Sequence, residues 1–177
     1  GGFMVYNTLD VLGAALALDI SLKDSAAVLA KVPHVQGRVE VVPTPGKDYT
    51  ILIDYAHTPD SMVNVLQTVK EFAKGRTVAV FGCGGDRDKT KRPRMGKAAA
   101  DWSDFAVVTT DNPRTEEPAA IIRDILPGFD GSNTPYEVVE DRVEAIRWAM
   151  DHARKDDVIV LCGKGHETYQ EVNHQKF

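Results

Sequence analysis

Four short clusters carry the residues most able to do chemistry: DYAHTPD (54–60), GCGGDRDKTKRPRMG (82–96), TTDNPRTEEP (109–118) and GKGHE (163–167). In the first, Asp54 can accept hydrogen bonds from a ribose hydroxyl, and Tyr55 or His57 can lie against a base. The plain alternative makes Asp54 and Asp60 turn and first-turn helix residues. The second cluster sets three glycines, whose backbone N–H groups can crowd an anion, ahead of basic residues at 87, 89, 91, 92 and 94. A nucleotide phosphate or a substrate carboxylate would use such a loop. It is not a P-loop, because GxxxxGK[ST] occurs nowhere in the chain.

In the third cluster Pro113 fixes its own φ and pushes Asn112 toward extended backbone, so the loop is rigid. Arg114 offers a planar fork suited to a carboxylate, and Asn112 adds a donor and an acceptor beside it. Otherwise Thr115 is an N-cap and Asp111 pairs with Arg114 at the surface, an interaction worth little. In GKGHE, Lys164 suits an anion and Glu167 an ammonium, so Arg114 and Glu167 could together read a zwitterionic amino-acid group. His166 could be a general base or a structural histidine. His34, His152 and His174 fall in a hinge, a helix and a frayed end and are assigned nothing.

The elements that must position these clusters alternate. DVLGAALALDI (10–20) reads as a buried helix, SLKDSAAVLAKV (21–32) as a second helix started by Ser21 and Asp24, and PHVQGR as a hinge that places a boundary near residue 37. Strand-like runs follow at 39–42, 50–55, 77–82, 105–110, 136–139 and 158–162. Between them, Thr58 and Pro59 start a helix whose buried stripe is Met62, Val65, Leu66, Val69, Phe72 and Ala73, ending at Gly75. Further helices are expected from Pro93 to about Trp102 and from Pro118 to about Leu126. Asp141 and Glu144 cap the last, on which Val143, Ile146, Arg147 and Met150 alternate core and rim. Trp102 and Trp148 read as core. Apolar strands separated by helices predict an α/β fold, a mostly parallel sheet flanked by helices. In such sheets ligands bind beyond the carboxyl ends of the strands, where all four clusters fall.

The chain has 177 residues and a formal net charge of -5, so no net positive field recruits nucleic acid. Two cysteines, both ending apolar runs, fit a reduced cytoplasmic protein, and no His/Cys spacing suggests zinc. No run approaches the ~18 apolar residues of a membrane span. GGFMVYN lacks both an initiator Met and a basic signal region, and the chain stops at HQKF, so both ends read as cuts in a longer protein. A monomer is favoured.

DYAHTPD, GCGGDRDKTKRPRMG, TTDNPRTEEP and CGKGHETYQ, in this order and spacing, resemble the Mur ligases over nearly the whole chain, and within that family the branch that adds meso-diaminopimelate. The resemblance implies a Rossmann-like C-terminal amino-acid-binding domain at 38–177, short of its last segment, preceded at 1–37 by the helical tail of the central ATPase domain. It implies an ATP-dependent amide ligase of peptidoglycan precursor synthesis: a carboxylate of a UDP-linked muramoyl dipeptide is phosphorylated, and the amine of meso-diaminopimelate attacks the acyl phosphate. It places diaminopimelate contacts on Arg87, Asn112, Arg114, Gly163 and Glu167, and ATP contacts on Asn7, Arg38, Asp54, Tyr55, His57 and Lys91. It assigns this stretch no catalytic nucleophile, and it leaves the P-loop and the Mg2+ ligands to the central domain upstream of Gly1. The stretch alone is therefore expected to be inactive, with weak ATP binding. Arg114 carries the substrate choice, since lysine has no distal carboxylate to pair. The competing readings are a lysine-adding ligase, a folylpolyglutamate synthase, a non-catalytic nucleotide- or anion-binding module, and an α/β domain whose charged loops are mere surface.

Overall fold

Contacts divide the chain into two compact units, Gly1–Val35 and Gln36–Phe177. The structure is a computed structural model that describes residues 2–32 and 35–177, with side chains from residue 5; Pro33 and His34 of the expected hinge lie outside the described residues.

The first unit holds α1 (Gly2–Ala17) and α2 (Leu22–Leu29). Ser21 caps α2, its Oγ accepting from the Asp24 N–H at 3.1 Å and donating to the Asp24 carboxylate at 2.7 Å. The helix expected to be buried is instead exposed within this unit: Leu9, Val11, Leu16, Leu18 and Ile20 all face outward. A unit of two short helices has too little chain to cover an apolar surface of that size.

In the second unit the elements run β1 (Glu40–Val42), β2 (Thr50–Asp54), α3 (Pro59–Lys70), β3 (Thr77–Phe81), α4 (Lys91–Trp102), β4 (Phe105–Val108), α5 (Pro118–Ile125), β5 (Tyr136–Val138), α6 (Arg142–Asp151) and β6 (Val158–Cys162). A hairpin of β7 (Glu171–Val172) and β8 (Gln175–Lys176) follows. The main sheet has the order β1-β2-β6-β3-β4-β5; β1 lies antiparallel to β2 and every other pair is parallel. β3 is buried along its whole length, as a central strand covered on both faces must be.

Helices α3, α4 and α5 pack on one face through Met62, Val65, Leu66, Val69, Met95, Ala99, Ile121 and Ile125. Helix α6 covers the other through Ala145 and Ala149, against Val78, Val80, Val107 and Ile159. Thr58 and Ser61 close a reciprocal capping box at the start of α3, and Asp141 accepts from the Glu144 N–H at 2.9 Å at the start of α6. Two packing expectations change. Helix α3 stops at Lys70, so the 3.6-residue period no longer governs Phe72, which is 52% exposed. Helix α6 turns the small alanines inward and leaves Val143 exposed.

At the amino end of the sheet, Asp157 ties the starts of β3 and β6. Burial raises its pKa, but the Arg76 guanidinium, 2.6 Å away through Nη2, and the N–H groups of Arg76 and Arg154 outweigh this and hold it below the ordinary value. The carboxyl end is where the topology matters for function. The chain leaves β2 for β3 and returns only at the end to insert β6 between them. The loops after β2, β6, β3 and β4 therefore stand side by side in that order, which brings clusters more than a hundred residues apart into one row.

Candidate functional site

The loop after β2 presents an aromatic platform. The Tyr55 ring meets His57 edge-on at 4.9 Å and stacks on His166 at 5.9 Å, and the Arg38 guanidinium lies over it at 5.1 Å. The His57 Nδ1 faces the Tyr55 carbonyl oxygen at 2.9 Å, which assigns a proton to Nδ1 and orients the ring. Gly37, at φ 71°, lets the backbone before β1 lie directly on the Gly165–His166 peptide, where a Cβ would collide. Arg38 and the GKGHE loop are thereby held beside Tyr55.

Asp54, expected to accept from a ribose hydroxyl, is held within its own loop. It is 5% exposed, and its two oxygens accept from the N–H groups of Ala56 at 2.7 Å and Val39 at 2.9 Å. Val39 sits at φ 46°, which is strained for a β-branched residue, and the Asp54 bond holds it there. The carboxylate shapes the loop that carries Tyr55.

The loops after β3 and β4 are knitted together. The Gly85 N–H donates to the Asn112 carbonyl at 2.9 Å, and its Cα lies so near the Pro113 carbonyl that a side chain could not be accommodated. Asp86 accepts from the Thr115 hydroxyl at 2.8 Å. Arg92, read as part of an anion-binding basic cluster, is a buried strut instead. It is fully buried and bonds Glu116 at 2.7 and 3.0 Å and Asp124 at 2.8 Å. Lys91, the first residue of α4, donates to the His57 carbonyl at 2.9 Å and so reaches the Tyr55 platform. Arg87 is exposed; Gly84 lies between its stem and the Arg114 guanidinium.

The Arg92 bond is the main cause that lowers the Glu116 pKa from 4.5 to about 2. A carboxylate with a depressed folded pKa stabilises fully above its unfolded value and loses that contribution as the pH falls through the folded one. Glu116→Gln should therefore cost about 2 kcal/mol near pH 7, less than a fully buried pair because Glu116 keeps some contact with water. The gap from the parent should narrow as the pH falls from 4.5 toward 2, which urea unfolding at several pH values would read.

The loops after β4 and β6 meet at Asn112, which is 5% exposed. Its Nδ2 donates to Glu167 at 3.2 Å, and its Oδ1 accepts from the Glu171 N–H at 2.9 Å and from the Lys164 ammonium. The amide thus orients its neighbours through both of its ends. The second Glu167 oxygen accepts from the Tyr55 hydroxyl at 3.2 Å, which links the aromatic platform to the charged cluster. Burial and then Glu167 raise the Tyr55 pKa, so the hydroxyl stays a donor. Burial pushes the Lys164 pKa down, against the pull of Asp111 and Glu167. Gly163, at φ 107°, brings the strand end against the Asp111 Oδ2, a buried oxygen with no hydrogen-bond partner. Arg114 does not pair with Asp111. Its Nη1 donates to the Gly85 carbonyl at 2.7 Å and its Nε to Glu171 at 3.1 Å.

Arg38, Tyr55, His57, Lys91, Arg87, Asn112, Arg114, Gly163 and Glu167 thus share one edge of the second unit, with Asp54 beneath it. Asn7 lies on α1 in the other unit. Two residues of the edge escaped the sequence reading. Arg142, buried beneath it, donates to the Cys162 carbonyl at 2.8 Å and tethers the end of β6. A cation in the first turn of α6 opposes the helix dipole, and that mismatch could have flagged it. Glu171 belongs to the expected frayed end, which is a hairpin instead: Asn173 and His174 both take positive φ, the turn that joins paired strands. Burial raises the thiols of Cys83 and Cys162 to about 12, so neither is a nucleophile. Among the described residues no helix is long and apolar enough to cross a membrane.

The family model described as "Mur ligase, glutamate ligase domain" matches residues 37–165. The chain is 51% identical over 171 residues to the UDP-N-acetylmuramoyl-L-alanyl-D-glutamate--2,6-diaminopimelate ligase of Clostridium botulinum, and this covers 96% of the chain and 35% of the relative. The ligase of the same name from Oceanobacillus iheyensis is 48% identical over 177 residues, covering 100% of the chain and 36% of the relative. A solved structure of a ligase of that name superposes with a TM-score of 0.74 at 39% identity, over 99% of this chain and 36% of that one. A pseudomurein peptide ligase type C from Methanothermus fervidus does so with a TM-score of 0.72 at 25% identity, over 92% of this chain and 33% of that one. The chain therefore spans about a third of the length of the relatives it matches.

Proposed function

The chain belongs to the Mur ligase family, and from that membership and the geometry of its carboxyl edge we propose that it supplies the amino-acid-binding part of an ATP-dependent ligase that joins meso-diaminopimelate to UDP-N-acetylmuramoyl-L-alanyl-D-glutamate. In this reading residues 38–177 hold the incoming amino acid, and residues 1–37 are the tail of the central ATP-binding domain, with Asn7 near the base. The observation that carries it is the arrangement of Arg114, Asn112, Lys164 and Glu167 in one partly buried cluster: opposite charges at fixed spacing suit a zwitterionic head group.

The work of the chain's residues follows from their placement. Arg114, with Arg87 beside it, takes the distal carboxylate of the amino acid. Glu167, held by Asn112 and Tyr55, takes the distal ammonium. The far amine is then directed away from this edge, toward the acyl phosphate it attacks. That step forms a C–N bond, releases phosphate and requires no nucleophile from this chain, in keeping with two inert thiols. Tyr55, His57 and Arg38 offer a flat, cation-topped surface for the adenine, and Lys91 stands near enough to serve the phosphates. Among the described residues no three His, Cys, Asp or Glu side chains come together as metal ligands. We place the ion's carboxylates in the remainder of the ligase.

The test is phosphate release by the whole ligase with the UDP-linked dipeptide, ATP and either meso-diaminopimelate or L-lysine. Release with diaminopimelate alone is expected. Equal release with lysine would leave a ligase of the family and remove Arg114 as the selector, and no release with either would favour a binding module.

A further inference from the structure

The Arg114–Glu171 pair is built into the fold. The hairpin β7–β8 is docked on the DNPR loop by backbone bonds on both sides of Arg114: its N–H donates to the Glu171 carbonyl at 3.1 Å, and its carbonyl accepts from the Asn173 N–H at 2.8 Å. The Glu171 N–H is fixed on Asn112 at 2.9 Å, and the Gln170 side-chain amide donates to the Asp111 carbonyl at 2.7 Å. With its own backbone held at both its N–H and its carbonyl, the Glu171 side chain stands beside the Arg114 guanidinium, its Oε2 3.1 Å from Nε.

The pair divides the available charge. Arg114 directs Nη1 to the Gly85 carbonyl and Nε to Glu171, and among the described residues Nη2 has no hydrogen-bond partner. Only one Glu171 oxygen faces the arginine. Glu167, by contrast, has both oxygens engaged, by the Tyr55 hydroxyl and the Asn112 amide, with the Lys164 ammonium 3.6 Å away. Of the two glutamates, Glu171 is the one that stands directly beside the Arg114 guanidinium. A bare carboxylate approaching Arg114 meets repulsion from Glu171 at short range, whereas a head group that carries an ammonium beside its carboxylate meets both partners at once.

We propose that Glu171 is a specificity-determining residue, a second carboxylate that stands beside Arg114 and, together with Glu167, favours a head group carrying an ammonium over a bare carboxylate. The proposal rests on the diaminopimelate reading above and adds a residue to it. It predicts discrimination between meso-diaminopimelate and L-2-aminopimelate, which keeps the attacking amine and the distal carboxylate but lacks the distal ammonium.

The experiment measures kcat/KM of the whole ligase for both amino acids, in the wild type, Glu171→Gln and Glu171→Asp. The wild type should prefer diaminopimelate; Glu171→Gln should reduce that preference about tenfold, the scale of one charge-assisted contact, while Glu171→Asp retains part of it. An unchanged KM for ATP shows that the variants are folded. A preference that survives Glu171→Gln unaltered, in an enzyme that uses diaminopimelate, overturns the role of Glu171 alone. A fall in kcat/KM by the same factor for both amino acids overturns it too, as the mark of a merely structural contact. A wild type that uses neither amino acid overturns the ligase reading, and this inference with it.

Discussion

Arg114→Ala in the whole ligase should lower kcat/KM for meso-diaminopimelate by about 10²-fold, through a raised KM, and leave the KM for ATP within about twofold. The guanidinium is only partly exposed and rigidly mounted: Pro113 stiffens the loop before it, Gly85 takes Nη1 and Glu171 takes Nε. Little conformational freedom is then lost on binding, so the carboxylate contact is realised nearly in full. Arg114→Lys should recover only a small part, since an ammonium has no planar fork to engage the Gly85 carbonyl, Glu171 and substrate together. Arg114 sits at φ 53°, so either variant is also to be checked for thermal stability. A loss of ATP use equal to the loss of diaminopimelate use would mean that the DNPR loop serves the fold or the nucleotide, and would remove Arg114 from the amino-acid site.

What was legible in the sequence was local. All-apolar runs made β3 and β6 readable as buried parallel strands, and Thr58–Pro59 and Asp141 with Glu144 each contain the whole of their capping chemistry within four residues. The row of loops followed from the alternation of strands and helices, without knowledge of strand order. What stayed hidden at the site shares one cause, a partner that lies far along the chain. Arg92 looks like any basic residue after a glycine-rich turn; its carboxylates, Glu116 and Asp124, come 24 and 32 residues later. Asp54 has the position of a ribose acceptor, and nothing in DYAH shows that the Val39 N–H will reach it from 15 residues upstream. The second oxygen of that same carboxylate serves Ala56, two residues on, in keeping with the turn role that the sequence offered as the plain alternative. Glu171 is the extreme case: its importance depends on a hairpin of two-residue strands that has meaning only once the DNPR loop is in place beneath it.

Tyr55 carries the second large expectation, because one side chain faces both substrates in the proposed function. Its ring forms the platform with His57, His166 and Arg38, and its hydroxyl donates to Glu167 at 3.2 Å. Tyr55→Ala removes both and should raise the KM for ATP about tenfold, the scale of one base–aromatic contact, and weaken diaminopimelate use as well. Tyr55→Phe keeps the ring and deletes only the hydroxyl. It should leave the KM for ATP unchanged and raise that for diaminopimelate several-fold, since Glu167 then has Asn112 and Lys164 to orient it but loses the donor on its other oxygen. The raised Tyr55 pKa means that the hydroxyl remains protonated through neutral pH, so the effect of the Phe variant should not vary across that range. Steady-state kinetics with each substrate varied in turn separate the two roles. If Phe and Ala were equivalent in ATP use, the ring would not be where the base lies, and the nucleotide would have to be sought against Lys91 and the start of α4 instead.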